Sequence, residues 1–204
     1  MKTVAEYIRT HPSIKDALAL GVINYAALSR QIVLELGQEV SSQEAVVISL
    51  RRLRAQLPSR SHQRRIVLLL QNSALEIKNR ICIVTLNKER VPDALLDEEA
   101  KTKKARRLFF MIEGTESITL IIQVEDLERI KKRFKSSIVE VLEDMSLISL
   151  HCEGVQAVPG VAAYLSSLFY EHGVNIYEFM SCWTDNLFVV RTPDVGQVVQ
   201  FLEF

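Results

Sequence analysis

Leu147-Ile-Ser-Leu-His-Cys-Glu153 leads into Gly154-Val-Gln-Ala-Val-Pro-Gly-Val161, and an apolar-striped segment follows that closes at Gly173. The first run reads as a strand over 146–152, the second as a short loop, and the third as a helix over 159–172 with Pro159 in its first turn. Pro is tolerated there because the first helical N–H groups have no intrahelical acceptor. Gly160 behind it leaves the backbone open to close approach. Free amides at such a helix start, backed by the positive end of the helix dipole, suit a carboxylate. The stretch makes a pocket for a small polar ligand and carries no catalytic group. A helix merely well capped and packed on a sheet is the competing reading.

The chain has 204 residues, 48% of them hydrophobic and 25% charged, the proportions of an ordinary globular protein. Its 25 basic and 25 acidic side chains cancel, so any affinity for nucleic acid must rest on local clustering. Cys82, Cys152 and Cys182 lack metal-ligand spacing, and each sits in an apolar run, which predicts buried, reduced thiols and a cytoplasmic location. The N-terminal segment has no apolar signal region, and no run approaches the ~20 apolar residues that span a bilayer. The expectation is a protein neither exported nor membrane-bound.

Up to residue 57 the signals are helical. Val4, Tyr7, Ile8, Ile14, Leu18 and Leu20 form a stripe that His11-Pro12-Ser13 breaks. Asn24 caps a helix over Tyr25–Leu36 that stops at Gly37, and Ser41 with Glu44 has capping-box spacing for a third. There Val46, Leu50, Leu53 and Leu57 share one face, Arg51 and Arg52 point away, and Pro58 ends the helix. Beyond it a basic segment precedes Ile66-Val-Leu-Leu-Leu70, which reads as a strand. Strand patterns at 75–78, 81–86, 108–112, 118–122, 138–142, 174–181 and 186–191 then mix with helices at 125–134, 159–172 and from Pro193. The fold class is α+β, with helices on one face of mostly antiparallel sheets.

The segment from Gly154 to Leu202 resembles the ACT domain, a ferredoxin-like βαββαβ regulatory module, and in detail the second ACT unit of aspartate kinases. The likeness rests on Gly154, Pro159-Gly160-Val161-Ala162-Ala163, Gly173-Val-Asn-Ile176, Ser181 and Val189-Val190. The resemblance implies a site for an amino acid or related metabolite at Gly154, Val155, Gln156, Ala157, Val158, Pro159, Gly160 and Val161, completed by Asn175, Ile176 and Ser181. It also implies a homodimer or higher oligomer and no cofactor. Read with the same template, 81–142 looks like a first ACT unit, with a divergent connection from Asn87 to Arg107. The sequence stops at Phe204 after its last helix, so 74–79 is expected to complete the second unit's sheet, as the strand before the first unit does in aspartate kinases. The expected domains are 1–65, 66–144 and 145–204. The first unit lacks the loop glycine and carries the charged run Asp97–Lys104, which points to a structural role.

A kinase domain does not fit before residue 74, and neither a P-loop nor GxSxG nor HExxH occurs. His11, His62, His151 and His172 have no ligand-spaced partners. The expectation is therefore not an enzyme. No acidic residue lies between Glu44 and Glu76, whereas Arg51, Arg52, Arg54, Arg60, Arg64 and Arg65 accumulate there. Three helices, the last arginine-rich, followed by a basic turn and apolar strands have the order of a winged helix-turn-helix that binds double-stranded DNA. A solvated helix face beside a basic linker reads equally from the residues. The expected function is a metabolite-sensing transcriptional regulator; the alternative is a regulatory subunit whose helical domain docks on a biosynthetic enzyme.

Overall fold

The computed structural model describes residues 3–37, 42–57, 61–91 and 95–204. Two compact units divide the chain, Met1–Arg65 and Ile66–Phe204. In the first, α1 (Val4–Thr10) and α2 (Pro12–Leu20) separate at His11, because Pro12 has no N–H with which to continue α1 and starts α2 instead. Gly21 closes α2 in the left-handed region, with φ +74°. The Asn24 carboxamide oxygen accepts from the Ala27 N–H at 3.1 Å and starts α3 (Tyr25–Leu36). α4 (Gln43–Gln56) is capped by Ser42, whose hydroxyl accepts from the Ala45 N–H at 3.4 Å. The cap is thus one residue later than the capping box places it; Ser41 and Pro58 lie outside the described residues. Tyr7, Ile8, Leu18, Leu28, Ile32, Val46 and Leu50 form the core of this unit.

The winged part of the sequence reading is corrected. Residues 66–70 are not a strand but the end of α5 (Ser61–Leu70). Ile66 and Leu70 are buried while Leu68 is exposed, which is helical spacing. An unbroken apolar run of five carries no period by which to tell helix from strand.

The second unit holds one six-stranded antiparallel sheet, ordered β2-β3-β1-β4-β6-β5. Its strands are β1 (Ala74–Asn87), β2 (Phe109–Glu113), β3 (Ser117–Gln123), β4 (Ile138–His151), β5 (Glu178–Cys182) and β6 (Asp185–Arg191). The sequence patterns at 75–78 and 81–86 are one strand, as are those at 138–142 and 146–152, of which Cys152 lies just past the strand's end. Each long strand bends at one left-handed residue, Arg80 (φ +61°) and Asp144 (φ +60°), where the register slips. Leu75–Lys78 pairs with Leu147–Leu150, and Ile83–Leu86 pairs with Ile138–Leu142. Each half of the sheet is thereby a βαββαβ arrangement that borrows strand length from the other.

α6 (Leu95–Lys104) and α7 (Val124–Arg133) cover the first half through Leu95, Leu127 and Ile130 against Val84, Leu86 and Leu120. α8 (Val161–Glu171), α9 (Val195–Leu202) and the end of α5 cover the second through Leu165, Phe169, Val198 and Leu70 against Ile148, Leu150 and Phe188. On the opposite face Ile81, Ile83, Ile121, Leu147 and Val189 are buried together. Glu178 on β5 meets Thr119 on β3, two strands that are not neighbours in the sheet, so the sheet curls until this helix-free face closes on itself. Burial there pushes the Glu178 carboxyl up, against the bond from Thr119.

The charged stretch 97–104, read from sequence as a divergent connection, is helical and has a defined partner. Glu98, Thr102 and Asp126 are fully buried between α6 and α7. Arg107 holds Asp126 through two bonds, of 2.8 and 2.7 Å. Arg133 reaches Glu98 at 2.7 Å, and Arg129 bridges Glu98, Thr102 and Asp126. Buried carboxylates persist only where they are paired. Arg129→Ala leaves both short of a partner, and urea denaturation should show a loss of about 2 to 3 kcal/mol, since removing one partner of a buried pair is strongly destabilising. An unchanged midpoint would mean that the network is ornamental.

Candidate ligand-binding site

β4 ends at His151, and the Cys152 N–H donates to the Thr184 carbonyl at 2.8 Å, which ties the β4–α8 loop to the turn between β5 and β6. His151 Nδ1 and Asp185 Oδ1 lie 2.8 Å apart beside that tie. The loop turns at Gly154 (φ +76°), makes a 3-10 turn over Val155–Ala157, and reaches Gly160 (φ +91°), the N-cap of α8. Pro159 therefore precedes the helix instead of standing in its first turn, and α8 starts at Val161. Gly160 offers no side chain to the first-turn amides, so the helix start has no side-chain cap.

The residues singled out from the sequence have different fates. Val155 and Val161 are buried in the core beneath the loop, with Val158 packed against it. Gly154, Gln156 and Ala157 line a cleft of about 540 Å³ with Glu153, Trp183 and Thr184. Asn175 and Ile176 follow α8 and precede β5, at the end of the sheet away from the loop, and Ile176 packs into the core. Ser181 is exposed on β5, paired with Asn186. The cleft thus gathers three of the eight loop residues, and Asn175 and Ile176 lie apart from it.

Sequence reading missed Glu153, Trp183 and Thr184. Trp183 is the only tryptophan, and it occupies the two-residue connection between Cys182 and Asp185. Its φ is +52° and its exposure 76%. A bulky residue is strained in that region, where Asn or Gly would rest easily. Strain of this kind persists where something holds it and gathers at binding sites.

α5 closes the other side of the loop. A Cβ on Gly160 would stand 3.5 Å from Ile66 Cδ1, and one on Gly154 would stand 4.0 Å from Leu69 Cδ1. The Cys152 thiol lies 3.5 Å from the Leu69 carbonyl oxygen. A smaller cleft of about 290 Å³ opens here between Leu69, Asn72, His151, Cys152 and Glu153. Burial, reinforced by the charge of Glu153, raises the Cys152 pKa, and burial pushes Cys82 up to about 11. Cys182 differs from the sequence expectation: it is exposed, at the end of an edge strand. Among the described residues no group of three His, Cys, Asp or Glu side chains is placed to hold a metal.

Arg51, Arg52 and Arg54 are exposed on α4, and Arg64 and Arg65 on α5; Arg60 lies outside the described residues. The Arg51 guanidinium stands 5.8 Å from the Tyr25 ring centre. Arg54 folds over the Gly21 backbone, where an added Cβ would come within 2.1 Å of its guanidinium nitrogen.

Bent strands, a paired βαββαβ arrangement and helices on one face match known structures. The fold is that of a tandem ACT regulatory domain. Clostridium acetobutylicum aspartate kinase superposes over 64% of this chain with a TM-score of 0.55 at 18% identity; the chain spans 34% of that enzyme. The regulatory subunit of aspartate kinase from Thermus thermophilus, in its ligand-free form, gives 0.51 over 63% of this chain and 92% of its own, at 12% identity. A structure of aspartokinase alpha and beta subunits gives 0.51 over 63% of this chain and 90% of that one, at 14% identity. No protein-family profile and no curated protein matches the sequence.

In this ACT-like unit only the thiolate reacts with disulfide reagents, and two of the three thiols are held protonated by burial. Labelling the native protein with Ellman's reagent at pH 7.5 should show one fast thiol, abolished by Cys182→Ser. Two or three fast thiols would contradict the packing of α5 over Cys152.

Proposed function

We propose that the chain is a non-enzymatic regulator that senses an amino acid or a similar small metabolite through the loop Glu153–Val161 of its second ACT-like half. The observation that carries this reading is the cleft of about 540 Å³ where Gly154, Gln156 and Ala157 meet the strained Trp183 turn, next to an uncapped helix start. The size suits a small metabolite. Aspartate kinase regulatory subunits share the fold, which supports a regulatory role and, with it, an amino acid or similar metabolite as the ligand class. In the first half the helices are locked together by Glu98, Asp126 and their arginines, so it serves as scaffold.

The output runs through α5. Its residues Ile66 and Leu69 rest on the two loop glycines, and the same helix continues back to Ser61. A ligand that lifts the loop changes the seat of α5, and only a ligand that distinguishes the two seats can do so. The edge strands β2 and β5 suit pairing in a homodimer. Two observations give the helical unit a target. Arg51, Arg52 and Arg54 of α4 join no ion pair among the described residues, which favours DNA, read by α3 and α4 as a helix-turn-helix. Exposed Val22, Leu34 and Ile48 favour an enzyme partner instead.

The test is a melting curve with each proteinogenic amino acid at ~10 mM, read alongside Trp183 fluorescence. At ~100 times its dissociation constant a ligand adds about 2.7 kcal/mol, a rise of roughly 5 to 10 °C for a domain of this size. At least one amino acid should raise Tm and shift the emission together. A protein indifferent to all of them is not an amino-acid sensor. DNA retention that survives replacing Arg51, Arg52 and Arg54 by Ala would rule out α4 as the recognition helix, and a wild type that retains no DNA would remove the DNA reading and leave the enzyme partner.

A further inference from the structure

α4 carries two stripes of the same spacing. Val46, Leu50, Leu53 and Leu57 recur at four, three and four residues and pack into the core of the helical unit. Glu44, Ile48, Arg51 and Ala55 repeat that spacing two residues earlier, about 200° round the helix, and all four are exposed. The flank of this outer stripe that faces α3 is fixed by two contacts. Gln43 Nε2 donates to the Ala26 carbonyl oxygen at 3.4 Å, and the Arg51 guanidinium stands 5.8 Å from the Tyr25 ring centre. Both Gln43 and Arg51 reach the first turn of α3, so α3 begins against that flank. Arg54 lies on the same side and folds over the Gly21 backbone, away from the stripe. Arg52, about 100° on from Arg51, projects from the opposite flank.

The outer face of α4 is therefore a narrow crest, Glu44, Ile48 and Ala55, with one arginine on each side. Its chemistry distinguishes between partners. Protein interfaces are anchored by large aromatic side chains, and the crest has none; Ile48, 52% exposed, is its one large apolar group, and Leu34 belongs to α3. A helix about 10 to 12 Å across fits a major groove about 12 Å wide, where side chains on its two flanks reach the two phosphate walls. Neither Arg51 nor Arg52 joins an ion pair among the described residues, and no acidic residue follows Glu44 before Glu76. Both cations are left for phosphate. Glu44 is the exception, a carboxylate on the crest itself. Between phosphate walls it would be repelled, unless it accepts a hydrogen bond from a base amino group on the groove floor.

We propose that α4 enters the major groove of double-stranded DNA along the Glu44–Ile48–Ala55 crest. Arg51 and Arg52 take phosphates on opposite walls, Ile48 meets a thymine methyl group, Glu44 accepts from a cytosine amino group, and Arg54 stays on Gly21 and takes no phosphate. This rests on the DNA reading of the helical unit above and adds to it the docking face and the part each residue plays. Glu44 also stands in the first turn of α4, where a carboxylate suits the helix dipole. That role alone would affect stability and leave base preference untouched.

The experiment uses the full chain and two probes, a duplex of random sequence and the duplex most enriched from a randomised pool, with affinity measured between about 50 and 200 mM salt. Arg51→Ala and Arg52→Ala should each lower the slope of log affinity against log salt by about 0.9 on both duplexes, one released counterion apiece. Arg51→Lys and Arg52→Lys should keep the wild-type slope, which separates charge from misfolding, and Arg54→Ala should leave it unchanged. Glu44→Gln should bind the random duplex about threefold more tightly and lose about tenfold in preference for the enriched one. A slope unchanged in both alanine variants of Arg51 and Arg52, or lowered as much by Arg54→Ala, overturns this face and leaves the DNA reading standing. A pool from which nothing is enriched, or a Glu44→Gln protein with wild-type preference, also overturns it. A wild type that retains neither duplex at the lower salt overturns the DNA reading and this face together, in favour of the enzyme partner.

Discussion

β1 and β4 run antiparallel along their whole lengths, and each bends once, at Arg80 and at Asp144. Left-handed backbone costs a residue with a side chain of order 1 kcal/mol or more, so neither position is there by default. What the two bends provide is a change of face. Leu75 packs with the helices of the second half, whereas Ile81 and Ile83, of the same parity, pack on the opposite side. The buried Ser146 hydroxyl donates to the Asn79 carboxamide oxygen at 2.9 Å and lies 3.0 Å from that of Thr192, pinning the junction. Because each long strand serves both halves, the two helix-covered cores stand on one shared strand frame, and the loop after β4 starts from it.

The two halves have diverged around that common frame. Between α6 and α7 the space is filled by two buried carboxylates and their arginines, a rigid and fully paired network. After β4 the equivalent region has two glycines in left-handed conformation and, across the loop, a strained tryptophan turn beside a cleft. Under the sensing proposal α5, seated on both loop glycines, is the element that would register a ligand there.

Much of this was legible in the residues, for local reasons. Asn24 and Gly37 mark the ends of α3 because a cap and a left-handed stop are properties of single side chains. The α+β alternation and the loop at 154–160 followed from glycine, proline and period. The failures were of a different kind. Ile66–Leu70 read as a strand because an apolar run has no visible period until its neighbours are known, and the expected wing went with it. α6 read as a charged connection because Glu98 and Asp126 become core residues only when arginines from other segments arrive. Arg80 carries no turn signal, and Asp144, which tolerates the left-handed region, reads as a break between strands, so two pairs of short strands could not be seen as two long ones. The contribution of Trp183 was hidden because a Trp-Thr turn contradicts hairpin chemistry, and the separation of Asn175 and Ile176 from the loop could not be seen until a helix of 11 residues was known to lie between them.

Hydrogen exchange along the backbone, with and without the amino acid that raises Tm, tests the central claim most directly. If the β4–α8 loop is the sensor and α5 its reader, saturation should slow exchange at Val161–Tyr164 and change it at Ile66–Leu70, while α6 and α7 stay as they were. Protection confined to the first half of the sheet, or a loop that slows with no response in α5, would contradict the account.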